Sequence, residues 1–298
     1  MCKRLLFILF PLFQSFMLNA QNFDDEVLVH DFVEGKLCFT ILDKTSNEAE
    51  VSGTTLKVEQ EIKGYYALFD ITIPASVSFG GVTYKVSTVA NNAFRGCMNI
   101  GTVEVESGVS YIGNSAFENC GRLGSVNILE GVSYIGDKAF AGCSQLHTLS
   151  FPKSLTFVGK GSFSRCKSIK SISFPCHVKE LDPSTFDDCS NLEAVLVDEE
   201  NPYMVSVDGV LYDKEQTKLI CCPEARTAAL IIPQTVTDVS WSFPASSKQS
   251  CISCSSYVPP VAKSQIGGSV GISLFVPKRS VSAYEQDAFW SRFVIRPY

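Results

Sequence analysis

Histidine, charge and recognisable catalytic phrases are all scarce in this chain. Three histidines, His30, His147 and His177, stand in 298 residues. None has metal-ligand spacing or a carboxylate beside it in a known arrangement. There is no P-loop and no H-E-x-x-H. Those gaps remove the common routes to a phosphate cradle and a zinc-bound water. The chain reads as non-catalytic, with no cofactor and no metal site expected. Only 19% of residues are charged, and acids outnumber bases by 31 to 25. Such a chain lacks the positive surface that nucleic acid or anionic lipid requires. Beyond residue 20, no apolar run approaches the roughly 18 residues that span a bilayer.

What is present begins with "MCKRLLFILFPLFQSFMLNAQ". Lys3 and Arg4 precede an apolar run from Leu5 to about Leu18, and Ala20 supplies a small residue before Gln21. That order predicts a secretory signal peptide over residues 1–20, cleaved after Ala20. The expected product is secreted or at the cell surface, with no membrane insertion after cleavage. Losing Lys3 and Arg4 leaves 23 basic against 31 acidic residues, a net charge of −8. With 45% hydrophobic residues there is ample material for a core, and disorder is excluded.

The dominant feature is a phrase repeated five times: "NNAFRGC", "NSAFENC", "DKAFAGC", "GSFSRC" and "STFDDC". Its cysteines are Cys97, Cys120, Cys143, Cys166 and Cys189, which follow one another at a constant interval of 23. Phe94, Phe117, Phe140, Phe163 and Phe186 keep the same interval. So do the alternating pairs Val103/Val105, Val126/Ile128, Leu149/Phe151, Ile172/Phe174 and Val195/Val197. Constant spacing without insertions specifies a repeat solenoid whose neighbouring coils supply one another's core. The period-two segments predict one short strand per coil, stacked in parallel. The "V-x-x-I-G" segments form a second extended stretch, and the phrase itself predicts a single helical turn that drops Phe inward. Gly113, Gly136 and Gly159 are expected where the backbone bends tightly.

The string "L-x-S-V-x-I…V-x-x-I-G-x-x-A-F-x-x-C" resembles the BspA-like leucine-rich repeat of surface and secreted proteins from gut and oral bacteria. The resemblance implies a leucine-rich-repeat solenoid over residues 85–200, holding the five coils. It also implies a β-rich N-terminal cap over 21–84, from "HDFVEGKLCFTIL…ITIPASVSFGGVTYKVSTVANNAF". The segment "VDEENPYMVSVDGVLYDKEQTKLICCPEARTAALIIPQTVTDV" is similar to a variant repeat in which a hairpin replaces the turn, placed at 201–240. The ending "LFVPKRSVSAYEQDAFWSRF" is similar to a closing strand and helix, within a C-terminal cap at 241–298. On its own chemistry Ser280 is a fair N-cap, with Val281, Tyr284 and Ala288 sharing one helical face. At "WSFPASSKQSC" the pattern lapses, and the solenoid is expected to be truncated or irregular.

Eleven cysteines follow residue 20: the five of the ladder and Cys38, Cys176, Cys221, Cys222, Cys251 and Cys254. Stacked coils place ladder Cβ atoms about 4.8 Å apart, wider than the ~3.8 Å a disulfide prefers. A line of thiols cannot close a tetrahedron around zinc. The ladder cysteines are expected to be small buried hydrophobes whose S–H bonds a turn carbonyl. "CISC" near "CC" invites a four-thiolate site, but a strand would point Cys251 and Cys254 to opposite faces. For these six, disulfide and free thiol both stay open.

Binding needs a surface. Alternation turns Thr102, Glu104, Ser125, Asn127, Thr148, Ser150, Ser171, Ser173, Ala194 and Leu196 outward, a small and mostly neutral set. Asp198, Glu199 and Glu200 read as a solvated turn. Tyr111, Tyr134 and Phe157 lie 23 apart beside apolar Ile112, Ile135 and Val158. They are the candidate ligand-binding residues, either a platform for a sugar or partner protein or a stack that stabilises the array. The resemblance implies a non-catalytic exported protein that binds an unidentified protein or glycan, extending by analogy to host attachment. The alternative is a structural or accessory module of the bacterial cell envelope.

Overall fold

The structure, a computed structural model, describes residues 32–54, 68–240, 251–262 and 271–298. The signal-peptide reading of residues 1–20 and the lapse at "WSFPASSKQS" lie outside the described residues. In the described chain, short strands stack into a solenoid of about eight turns with a period near 23 residues.

The predicted period-two segments form the first ladder. Strands Phe69–Ile73, Ile100–Val105, Ser125–Ile128 and Thr148–Ser150 run parallel, with Ile71, Val103, Val126 and Leu149 in register. Strands Ser171–Phe174 and Ala194–Val197 pair the same way but form a separate two-stranded sheet. Val103, Val105, Val126, Ile128, Ile172, Phe174 and Val195 point inward and are buried. The second ladder stacks Val82–Val89, Tyr111–Ile112, Tyr134–Ile135 and Phe157–Val158 in parallel. Before it, Phe32–Glu34, Leu37–Asp43 and Glu48–Thr54 form an antiparallel meander, whose last strand lies parallel to Val82–Val89.

The repeated phrase does not make the helical turn expected of it. In coils one to three it is a run of tight turns, with bonds such as Cys97 N–H to Phe94 O and Cys120 N–H to Phe117 O. Alternate residues instead donate to the next coil: Phe94 to Ala116, Phe117 to Ala139 and Phe140 to Ser162, at 2.7–2.9 Å. The turn is thus a third coil-to-coil ladder, which a helix could not form because all its N–H groups would point along its own axis. Only the fifth coil closes into a short helix, a 3-10 turn at Pro183–Phe186.

The glycines also serve differently from expectation. The positive φ angles fall on Asn92, Ser115, Lys138 and Gly161, not on Gly113, Gly136 or Gly159. At those three glycines a Cβ would sit 2.5–2.7 Å from backbone nitrogen of the preceding coil. They are small because two coils touch there.

Beyond the fifth coil parallel strands continue to stack on either side of residues 241–250. Leu230–Ile232, Cys251–Cys254, Ser273–Val276 and Val294–Pro297 are mutually parallel. The register pairs Ile231 with Ser253, Ile252 with Leu274 and Leu274 with Ile295, a slightly tighter interval than in the earlier coils. The hairpin Met204–Val207/Val210–Asp213 turns through Asp208 and Gly209, both at positive φ, as a two-residue hairpin requires. The turn after the following strand is the shorter segment Cys222–Arg226.

At the end, the helix spans Val281–Gln286 and buries Tyr284, but it stops before Ala288, which is exposed. The Ser280 hydroxyl donates back to Pro277 O at 2.8 Å and gives no side-chain cap to the helix. The buried partner of Tyr284 is Trp290, edge-on at 6.0 Å, whose indole N–H donates to Pro260 O at 2.7 Å.

Candidate binding surfaces

The aromatic column exists as a stack. Tyr111 and Tyr134 have ring centroids 4.6 Å apart and planes 11° from parallel; Tyr134 and Phe157 follow at 4.4 Å and 9°. The parallel strands impose that spacing, and Ile112, Ile135 and Val158 beside them are buried. All three rings are half-buried. Their facing surfaces are occupied by one another, so edges and the two phenol hydroxyls are what the column offers a partner. Burial, then the neighbouring Tyr111 and Asp137, push the Tyr134 phenol up, so it remains a neutral donor.

A second column beside it was not singled out from sequence. Asn91 Oδ1 accepts from Asn114 N–H at 2.7 Å, Asn114 Oδ1 from Asp137 N–H at 2.8 Å, and Asp137 Oδ1 from Lys160 N–H at 2.7 Å. The signal was there, as polar residues at the repeat interval after the glycine column. The aromatic column ends at Glu180, and the amide column ends at Lys160, whose side chain accepts nothing and whose counterpart in the next coil, Pro183, has no N–H to give.

The outward strand residues are exposed or half-buried, as alternation requires. They are cross-linked into a polar face, with Ser150 Oγ donating to Asn127 Oδ1 at 2.7 Å and Thr102 Oγ1 to Asp70 Oδ1. His147 is exposed on this face, with its Nδ1 3.0 Å from Thr148 Oγ1. Asp198 Oδ1 accepts from the Glu200 N–H at 2.9 Å in a local exposed turn.

The ladder cysteines are buried and unbridged. Cys120, Cys143, Cys166 and Cys189 each donate S–H to the carbonyl of the previous coil's phenylalanine, at 3.0–3.2 Å. The same carbonyl accepts the N–H of its own coil's cysteine, so both lone pairs are used. Burial pushes the Cys166 thiol up to about 12, and Cys143 and Cys189 well up as well. Of the other six, Cys176 and Cys251 are half-buried, and all six are unbridged. Cys251 and Cys254 lie on opposite faces of their strand. Among the described residues, no three His, Cys, Asp or Glu side chains converge as a metal site.

One charged group inside the turn region escaped the sequence reading. Glu118 is buried, with Arg95 Nε at 2.9 Å and Arg165 reaching from two coils away to 3.9 Å.

Parallel coils stacked through short strands, each closed by a buried Phe/Cys turn, define a leucine-rich-repeat solenoid. Residues 68–193 match the family model of the BspA type leucine rich repeat region in six copies, and this stretch belongs to that repeat family. Six copies are one more than the repeated phrases, and the strand Phe69–Ile73 supplies a further rung of the same ladder. Two solved structures share the fold. The pneumococcal vaccine antigen PcpA superposes with a TM-score of 0.58 at 17% identity, covering 84% of this chain and 82% of its own. A leucine-rich repeat protein from Eubacterium ventriosum ATCC 27560 gives 0.53 at 18%, covering 89% and 84%. No curated protein matches the chain. Among the described residues, no helix is long and apolar enough to cross a membrane.

Proposed function

We propose that this chain is an exported, non-catalytic binding protein that engages a protein partner through the Tyr111–Tyr134–Phe157 column. The supporting observation is the geometry of the stack. Rings packed face to face 4.4–4.6 Å apart leave no face for a sugar ring between them. Their edges and the two hydroxyls form a rigid ridge, suited to a protein surface that offers apolar contact and carbonyl acceptors. Rigidity favours such a contact because little side-chain entropy is lost on binding. A role at the bacterial surface, extending to host attachment, rests on analogy with the repeat family.

The test replaces Tyr111, Tyr134 and Phe157 together by serine. Capture of a saturable partner from host matrix should be abolished, while the circular dichroism spectrum is retained. Capture only from an envelope extract would favour the accessory-module reading. Undiminished capture by the triple variant would remove the column from the account.

A further inference from the structure

Between the third and fourth coils both strand ladders stop, although each of these coils carries the repeat. Strand Thr148–Ser150 ends the four-stranded sheet, and Ser171–Phe174 begins a separate one. Strand Phe157–Val158 ends the other ladder, and Glu180 and Leu181 in the next coil form no strand on it. Single columns show the same break. Ser110 N–H donates to Ser87 O, Ser133 to Ser110 and Thr156 to Ser133, but Lys179 N–H does not reach Thr156 O. Gly113 N–H donates to Val89 O, Gly136 to Ile112 and Gly159 to Ile135, each at 2.8 Å, while Asp182 N–H does not reach Val158 O.

Two departures from the repeat explain the break. At Gly113, Gly136 and Gly159 a Cβ would sit 2.5–2.7 Å from backbone nitrogen of the preceding coil, and Asp182 carries a Cβ in that column. The coil bearing Asp182 therefore cannot approach as its predecessors do. In a second column, Leu129 N–H donates to Val105 O and Asp198 N–H to Phe174 O, both at 2.9 Å. Pro175 stands between them and has no N–H to give to Phe151 O. The turns flanking the seam stay bonded, Gly142 N–H to Ser164 O and Arg165 N–H to Asp187 O, both at 2.7 Å. Across the seam, Ser168 Oγ donates to Ser144 O at 2.8 Å, and His177 Nδ1 lies 3.0 Å from Lys153 O. An exposed ion pair, Lys160 with Asp182 at 3.9 Å, and the stacked rings of Phe151 and Phe174, 5.0 Å apart, also bridge it. Apolar contact is non-directional, whereas a backbone ladder fixes both distance and angle.

We infer that this seam is a flexing joint. The coils that carry the aromatic ridge tilt as one body against the coils that follow, with the bonded turn at 160–166 as the pivot. Tyr111, Tyr134 and Phe157 all lie on the N-terminal side of the seam, so tilting leaves the ridge intact and changes its angle to the coils beyond Ser171. The joint is independent of what the ridge binds, so either reading can fail without the other.

The test attaches spin labels through para-azidophenylalanine, which leaves the native thiols alone, and reads distance distributions in the full chain by pulsed electron paramagnetic resonance. One pair, at Glu104 and Ser173, spans three rungs across the seam. The control pair, at Thr72 and Ser150, spans three rungs before it, and all four positions are exposed. The seam pair should give a distribution at least twice as broad as the control pair. Pro175→Glu with Asp182→Gly restores a donor and removes the Cβ, and should narrow the seam pair to the control width. Equal widths in the native sequence would overturn the joint, whether or not the double variant folds. A folded double variant with an unchanged seam width would overturn the cause assigned to it.

Discussion

At the scale of residues, phenylalanine and cysteine divide the work of closing each coil. Phe94, Phe117, Phe140 and Phe163 are fully buried and stacked nearly parallel, with centroids 4.9–5.7 Å apart. Phe140 has a ring on each side, so truncation leaves a cavity that neither neighbour can fill without abandoning its other contacts. Phe140→Ala is expected to cost about 3–5 kcal/mol, read from the denaturant midpoint at constant slope. Cys143 contributes a small apolar volume and one weak S–H···O bond at 3.2 Å. Serine keeps the donor and loses only the difference between oxygen and sulfur, so Cys143→Ser should cost less than Phe140→Ala. The paired interval of Phe and Cys made both roles legible from the sequence. The carbonyl that the thiol reaches was legible only in kind, since it belongs to the phenylalanine of the preceding coil rather than to the thiol's own turn.

At the scale of elements, the strands were readable because alternation and the repeat interval agree at Val103/Val105 and their copies. The turns were not. In a phrase such as "NSAFENC" Phe and Cys stand three apart, a spacing that one turn of helix also gives. Its backbone groups are worth more to the neighbouring coils, which lie within hydrogen-bond reach, and the turn opens to meet them. The glycine column is misread for a related reason, because sequence reveals that a side chain is absent but not which neighbour excludes it. Gly136→Ala would drive a methyl group against Asn114, whose nitrogen lies 2.7 Å from the Cβ position. It should destabilise by about 1–3 kcal/mol. Asn114→Ala removes one side-chain link between coils and should cost about 0.5–1.5 kcal/mol. Thermal unfolding of the two variants checks both, and a larger loss at Asn114 than at Gly136 would contradict this ranking. The later coils were legible only through the family resemblance, because they lack the phrase and their register partners sit closer in sequence, as Ile231 with Ser253 and Leu274 with Ile295.

At the scale of the whole molecule, each coil contacts its neighbours and little else, so stability is a sum of coil and interface terms. Deleting one full period, residues 118–140, joins Phe117 to Ala141 in the register that Phe140 held. The shortened chain is expected to fold, with unchanged strand content per residue and a lower denaturant midpoint. Failure of that deletion to fold, while a half-period deletion of residues 118–129 folds, would contradict the stacked-coil description. The candidate surface was only partly legible at this scale. Tyr111, Tyr134 and Phe157 were identified as a column, but whether they stack or stand apart depends on the strand spacing that only the assembled array sets.

The central claim is that the repeated phrase is a structural mark, its cysteines buried and unpaired within a stacked array. The most direct measurement is thiol labelling of the native chain followed by peptide mass spectrometry, repeated after unfolding. The account predicts that Cys97, Cys120, Cys143, Cys166 and Cys189 stay unlabelled in the native protein and are all labelled after unfolding without reductant. Native labelling of these five, or disulfides among them, would contradict it.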